Sequence, residues 1–287
     1  MDVEPYSAES SIASFFAAHA PVTREQCDEY AVHLAGGTAT AVPIQGSFSY
    51  TVMAGDGKTK IIQFRDPSSD LDRKVLDLAG RVHQGIVPSY TFHGLFCDRL
   101  PVYAMEKLSG TPYVYVKHID PLSDTSSEHS TTVGDFAKFF ATSWNQGQDI
   151  DPSAAEAMHR DYQSRFELLS EKTGHITGII DWPEATISPF GMSLWGLENL
   201  LGFMDHNGWH YYTNSDTLRS LFWEEFERTS TKSLSSDDKR AIQIARMAGL
   251  FLLHGFSWST GGREVVKESS MSFKYLQAFC ATNDSSL

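Results

Sequence analysis

Between residues 38 and 66 the chain takes on the character of a sheet, and that stretch limits what it can fold into. The runs "TATAVPIQ", "SFSYTVMAG" and "KTKIIQFRD" are rich in β-branched and aromatic residues, which pack well on a pleated surface. Asp56-Gly57, between the second and third, is a hairpin-turn signal. Ahead of them, "SAESSIASFFAAH" reads as a short amphipathic helix closed by Pro21. "TREQ" then opens a second helix, with Thr23 as N-cap and Gln26 completing a capping box, running to about Leu34 before Gly36 and Gly37 stop it. A helix-like stretch, "SSDLDRKVLDLAGRVH", and two strand candidates, "YTFHGLF" and "PVYAMEKL", follow.

After Gly110 the spacing becomes mostly helical. It runs through "TTVGDFAKFFATSWNQ", "SAAEAMHRDYQSRFELLSEK", "MSLWGLENLLGFM", "NSDTLRSLFWEEFERTS" and "SSDDKRAIQIARMAGLFLLH", broken by a β-hairpin at "GHITGIIDW". The expected fold class is α+β. A small N-terminal lobe, residues 1–108, carries an antiparallel sheet, and a larger helical lobe covers 109–287.

Composition narrows the functional classes. The formal charge of −13, from 36 acids against 23 bases, repels a phosphate backbone, and no basic run carries interleaved aromatics. Nucleic acid is therefore not an expected partner. A single nucleotide is not excluded, because Mg²⁺ and a few local groups override a global field. Cys27, Cys97 and Cys280 are too widely spaced for a disulfide framework or a metal knuckle. The start "MDVEPYSAES" lacks signal-peptide character, and "AGLFLLHGFSW" is too short for a membrane span. The expectation is a cytoplasmic protein with no membrane partner.

Four features carry chemistry. In "IQGSFSYTV", positions 44 to 52, a glycine among small hydroxyl residues lets backbone N–H groups approach phosphates, although an ordinary turn uses the same residues. Arg65 ends the strand "KIIQFR", where a cation could hold phosphate oxygens or make a surface ion pair. "VYAMEKLSG", positions 102 to 110, leads from a strand into a polar linker whose backbone could meet a purine or simply connect two lobes. "GHITGIIDWPEA", positions 174 to 185, ends an apolar strand at Asp181, either a Mg²⁺ ligand on a rigid support or the structural acid of the next turn, with Glu184 nearby.

Together with "PFGMSLWGLENLLG", these segments in this order resemble the aminoglycoside phosphotransferase/choline kinase family, its fungal-type members in particular. The resemblance spans roughly residues 30 to 260 and is most specific over 173 to 202. It implies a protein-kinase-like fold that uses ATP and Mg²⁺ and binds a small-molecule acceptor. Gly46, Ser47 and Ser49 would lie over the phosphates. Arg65 would replace the usual strand lysine, with Asp72 as its helix partner. The backbone of Met105, Glu106, Lys107 and Leu108 would hold adenine, and Asp181 would hold Mg²⁺. Trp195, Glu198 and Asn199 would face the acceptor.

The chain departs from the family at the catalytic loop, patterned H-x-D-x-x-x-x-N. His159-Arg160-Asp161 spells the triplet, 20 positions before Asp181, but the asparagine position is Phe166. "AAEAMHRDYQSRFELLSEK" also runs at helical spacing, with Met158, Tyr162, Phe166 and Leu169 on one face. Two explanations stand: a catalytic loop lost or replaced, with a helix running straight into the hairpin, or a degenerate loop with Asp161 as base. The expected function is ATP-dependent phosphoryl transfer to a small-molecule hydroxyl, impaired by the loop. The alternative is a pseudokinase that binds nucleotide or a partner.

Overall fold

The computed structural model describes residues 6–116, 127–146, 166–170, 172–183, 185–259 and 262–281. The chain divides into two compact units: Met1–Asp72 with Pro88–Leu108, and Arg73–Val87 with Ser109–Leu287.

The first unit begins with α1 (Ala8–Ala18) and α2 (Arg24–Ala35). The capping box of α2 forms as its sequence dictates: Thr23 Oγ1 accepts from the Gln26 N–H, and Gln26 Oε1 accepts from the Thr23 N–H. The sheet comprises β1 (Thr40–Ala41), β2 (Ser49–Ala54), β3 (Lys60–Arg65), β4 (Tyr90–Phe96) and β5 (Leu100–Glu106). Its five strands run in the order β1-β2-β3-β5-β4, and each neighbouring pair is antiparallel. The turn at Asp56-Gly57 is a short 3₁₀ segment, Asp56–Lys58. Alternation sorts the strand residues onto two faces. Tyr50, Val52, Ala54, Ile62, Phe64, Leu100 and Val102 are buried in one cluster with Ile12 and Phe15 of α1 and Cys27 and Ala31 of α2. Each large apolar side chain buried this way contributes on the order of 1.5–3 kcal/mol.

The second unit contains α3 (Arg73–Val82), β6 (Thr111–Pro112), α4 (Tyr113–Val116), α5 (Ser127–Gln146), β7 (Phe166–Leu169) and β8 (Ile176–Ile180). It continues with α6 (Trp195–Leu200), β9 (Gly202–Met204), β10 (Trp209–Tyr211), α7 (Ser215–Thr229), α8 (Ser236–His254), β11 (Phe256–Ser259), β12 (Gly262–Val265) and α9 (Met271–Cys280). Val133, Phe136, Ala137, Phe140 and Ala141 form a stripe at helical spacing on α5. They share a core with Leu218, Phe222 and Phe226 of α7 and with Ile176 and Ile179 of β8. Among the described residues, no helix is long and apolar enough to cross a membrane.

Two expected helices end differently. The helical spacing through "SRFELLSEK" is overruled: Phe166–Leu169 is a strand, paired antiparallel with β8 and, at Leu168 and Leu169, with β6. Pairing with the β-branched run of β8 wins over local helical preference. In "MSLWGLENLLGFM" the helix stops at Leu200, and Gly202–Met204 turns back as β9 against β10. Glycine is needed there because a Cβ at 202 would sit 2.3 Å from the His210 carbonyl oxygen.

Candidate functional site

In the first unit, the loop that leads into β2 is held by a residue the motif reading passed over. Gln45 is buried, and its side chain pairs with the backbone of Thr51 as a strand would: Nε2 donates to the Thr51 carbonyl at 2.8 Å, and Oε1 accepts the Thr51 N–H at 2.9 Å. Nε2 also donates to the Val42 carbonyl at 2.9 Å. Gly46 and Ser47 follow on the surface. Gly46 is not in the left-handed region, and a Cβ there would make only an ordinary 3.4 Å contact with Ser49 Oγ. Ser49 opens β2, buried, with its hydroxyl 3.3 Å from Thr51 Oγ1.

The antiparallel register sets Ser49 opposite Arg65, so the glycine loop and the cationic strand end share one end of the sheet. The Asp66 N–H donates to the Phe48 carbonyl at 2.9 Å and ties the loop to the residue after Arg65. Arg65 is only 3% exposed. Its Nε donates to the Ser69 carbonyl at 2.8 Å, Nη2 to Ser69 Oγ at 3.1 Å, and Nη1 to Gln63 Oε1 at 3.3 Å. Asp72 is exposed, one residue before α3. Burial works against the Asp66 carboxylate, but hydrogen bonds from Ser68 and His19 hold it below the ordinary carboxylate range.

Met105 pairs with Ile61 on one side and Tyr90 on the other, so it lies within the sheet. The Glu106 N–H donates to the Ser89 carbonyl and the Lys107 N–H to the Thr59 carbonyl, both at 3.0 Å. Two of the backbone donors expected to meet a purine are therefore occupied by the unit's own chain.

In the second unit, Asp181 follows β8 directly, exposed and with φ of 68°. Its support is firm. The Ile179 N–H donates to the Ile86 carbonyl at 2.7 Å, and Trp182 Nε1 donates to the Ile179 carbonyl at 2.9 Å. At the hairpin's far end, Asp135 of α5 accepts from Lys138, from the Ile176 N–H and contacts His175 at 2.7 Å. Burial again works against that carboxylate, and these partners keep it below the ordinary range. Phe166 lies opposite Ile180, one position from Asp181. Asp161 and Glu184 lie outside the described residues. Among the described residues, no three His, Cys, Asp or Glu side chains gather as a metal cluster. Asp181 thus offers one carboxylate on a strand end, which fits Mg²⁺, an ion that keeps several waters and takes one or two protein carboxylates alongside phosphate oxygens.

Asp181 also borders a cavity of about 680 Å³ within the second unit, walled by α3, α5 and the segment after β8. Inside it, His83 Nε2 lies 3.0 Å from Ser143 Oγ, and the imidazole stacks on Phe139 at 4.0 Å. Burial pushes the His83 pKa down to about 4, so the ring is neutral near pH 7.

Of the residues expected to face an acceptor on α6, Trp195 borders this cavity and Glu198 is held elsewhere. Trp195 and Glu198 are buried at 2% and 0% exposure. Glu198 binds Arg219, Arg246 and Tyr211, so its carboxylate is structural. Its position in a mostly apolar helix is a sequence signal of that burial; its arginine partners lie 21 and 48 positions along the chain.

No family model matches the chain, and no curated protein does. Among solved structures, that of the gentamicin–APH(2'')-IIa complex aligns with a TM-score of 0.50 at 9% identity, over 80% of this chain and 87% of that one. The streptomycin–ATP–APH(2'')-IIa ternary complex aligns at 0.48 and 10% identity, over 81% and 91%. The α+β architecture, with its five-stranded antiparallel sheet followed by a helical unit, is therefore the protein-kinase-like fold of the aminoglycoside phosphotransferase APH(2'')-IIa.

Proposed function

We propose that the chain is a kinase-like phosphotransferase that moves the γ-phosphate of ATP to a hydroxyl of a small molecule. The observation that carries this reading is Asp181, an exposed acid fixed at the end of β8 in a chain of this fold. Mg²⁺ bound with the nucleotide supplies neutralisation of the charge that develops on the phosphates. Asp181 ligates that ion. Gly46 and Ser47, with Ser49 at the start of β2, lie over the phosphates, with Arg65 as the cation beside them and Asp72, just ahead of α3, its partner. The backbone around Met105, Glu106 and Lys107 receives the purine through groups other than the Glu106 and Lys107 N–H, which Ser89 and Thr59 hold, and Asp161 takes the acceptor's proton.

One observation favours a second reading, a pseudokinase that binds nucleotide without turnover. The position five after Asp161, where the resemblance calls for an amide as the second metal ligand, is Phe166, and it pairs next to Asp181. Loss of the catalytic base and of that second metal ligand together costs several orders of magnitude in rate.

A thermal-shift titration with ATP, with and without Mg²⁺, tests both readings alongside a phosphotransfer assay over hydroxyl-bearing compounds. At a hundredfold excess over Kd, ligand binding adds about 2.7 kcal/mol, a rise of roughly 5–10 °C for a chain of this size. Mg²⁺-dependent stabilisation that vanishes in Asp181→Asn, with turnover, supports the phosphotransferase. The same stabilisation without turnover supports the pseudokinase. No stabilisation at all refutes both.

A further inference from the structure

The cavity beside Asp181 has a chemistry of its own. Its walls are aromatic: Phe139, Phe140 and Trp144 from α5 and Trp182 and Phe190 from the segment after β8, with Leu78 of α3 opposite. Several rings meet edge to face, Trp144 with Phe190 at 5.0 Å and Phe140 with Phe190 at 6.1 Å. Edge-to-face contact is a geometry aromatic pairs prefer, and an aromatic occupant would extend it. The cavity's volume, about 680 Å³, lies in the range of small-molecule sites.

Charge on the lining is nearly balanced. The ionised groups among the described lining residues are Asp181, Asp238 and Lys232. Lys232 lies close enough to Asp238 to help lower its pKa, behind the larger effect of the Ser235 hydrogen bonds. Among the described lining residues two carboxylates face one ammonium. A polycation would find too few carboxylates among them to replace the water stripped from its ammonium groups. Among the polar groups inside is the His83–Ser143 pair, a neutral imidazole 3.0 Å from a hydroxyl that also donates to the Phe139 carbonyl at 3.3 Å, which leaves the serine oxygen able to accept from a further donor. That complements a hydroxyl group.

We infer that this cavity binds a small, uncharged aromatic compound carrying one hydroxyl, with the ring among Phe139, Trp144 and Phe190 and the hydroxyl on the His83–Ser143 pair. Any role of this ligand as phosphoryl acceptor rests on the phosphotransfer reading; its binding does not.

The test is a calorimetric titration of the full chain with 2-naphthol, with naphthalene and gentamicin as comparison probes. Saturable one-to-one binding of 2-naphthol is expected. Ser143→Ala weakens it roughly fivefold, the size of one neutral hydrogen bond, and leaves naphthalene unchanged. Leu78→Trp, which fills the cavity from its α3 wall, weakens both probes at least tenfold. Circular dichroism establishes that each variant is folded, and Ser143→Ala carries the test if Leu78→Trp is not. Absence of 2-naphthol binding to the wild type overturns the inference, as does binding untouched by Ser143→Ala. Gentamicin displacing 2-naphthol overturns the uncharged assignment. Because the titration contains no nucleotide, its failure is separate from failure of the ATP and Mg²⁺ experiment.

Discussion

Replacing Glu198 by Gln removes a negative charge that two buried arginines share. The carboxylate is 0% exposed, and Arg219 and Arg246 are each 6% exposed. Oε1 accepts from Arg219 Nη1 and Arg246 Nη2, both at 2.6 Å, while Oε2 accepts from Arg219 Nη2 at 3.1 Å and the Tyr211 hydroxyl at 2.9 Å. Burial alone would raise the Glu198 pKa, but the guanidiniums outweigh it and hold the group below its ordinary value. It is therefore ionised near neutral pH. Removing one partner of a buried pair costs about 3–5 kcal/mol, because the other charge stays behind in low dielectric. One carboxylate here serves two cations, which places Glu198→Gln at the upper end. At about 2–4 °C per kcal/mol for a chain of this size, the melting temperature should fall by roughly 10–20 °C, measured by circular dichroism. The triple variant Glu198→Leu, Arg219→Met, Arg246→Met removes all three charges at similar volume and should recover most of that loss. A melting temperature within about 2 °C of wild type for Glu198→Gln would refute the reasoning. So would a triple variant no more stable than the single one.

Two further outcomes follow from buried groups. His83 binds its proton in the unfolded chain near the ordinary value of about 6.5 but in the folded chain only near pH 4. Its contribution is present above pH 6.5 and is lost as pH falls toward 4, by about 3 kcal/mol in all; urea midpoints between pH 7 and 4.5 should flatten over that window in His83→Gln. Gly249 lies inside α8, where alanine ordinarily gains about 1 kcal/mol, yet a Cβ there would sit 1.8 Å from the Met192 carbonyl oxygen. Gly249→Ala should instead destabilise by about 3 kcal/mol in urea unfolding.

What could be read from sequence was local. The capping box at Thr23 and Gln26 and the stripe on α5 depend on residues within two turns of one another, so their spacing predicts them. The grouping of Gly46, Ser49 and Arg65 follows once β2 and β3 pair as a hairpin. The failures were set by distant partners. Phe166–Leu169 has helix-compatible spacing, and only its pairing with β8 makes it a strand. Glu198 looks like a polar residue on an apolar helix, until Arg219 and Arg246, 21 and 48 positions on, turn it inward. Gln45 acts through its side chain as an extra stretch of strand, which no pattern of hydrophobicity encodes.

Asp181 leaves β8 in the left-handed region, at φ of 68°. There a glycine is less strained than any residue with a Cβ, by roughly 1 kcal/mol relative to aspartate, which tolerates the conformation better than most. Asp181→Gly should therefore raise the melting temperature by a few degrees while deleting the carboxylate. A blind selection for heat resistance would drift toward glycine at this one position and discard the acid, whereas a selection for nucleotide binding would retain it. Running both selections on the same library would show which pressure the residue answers to.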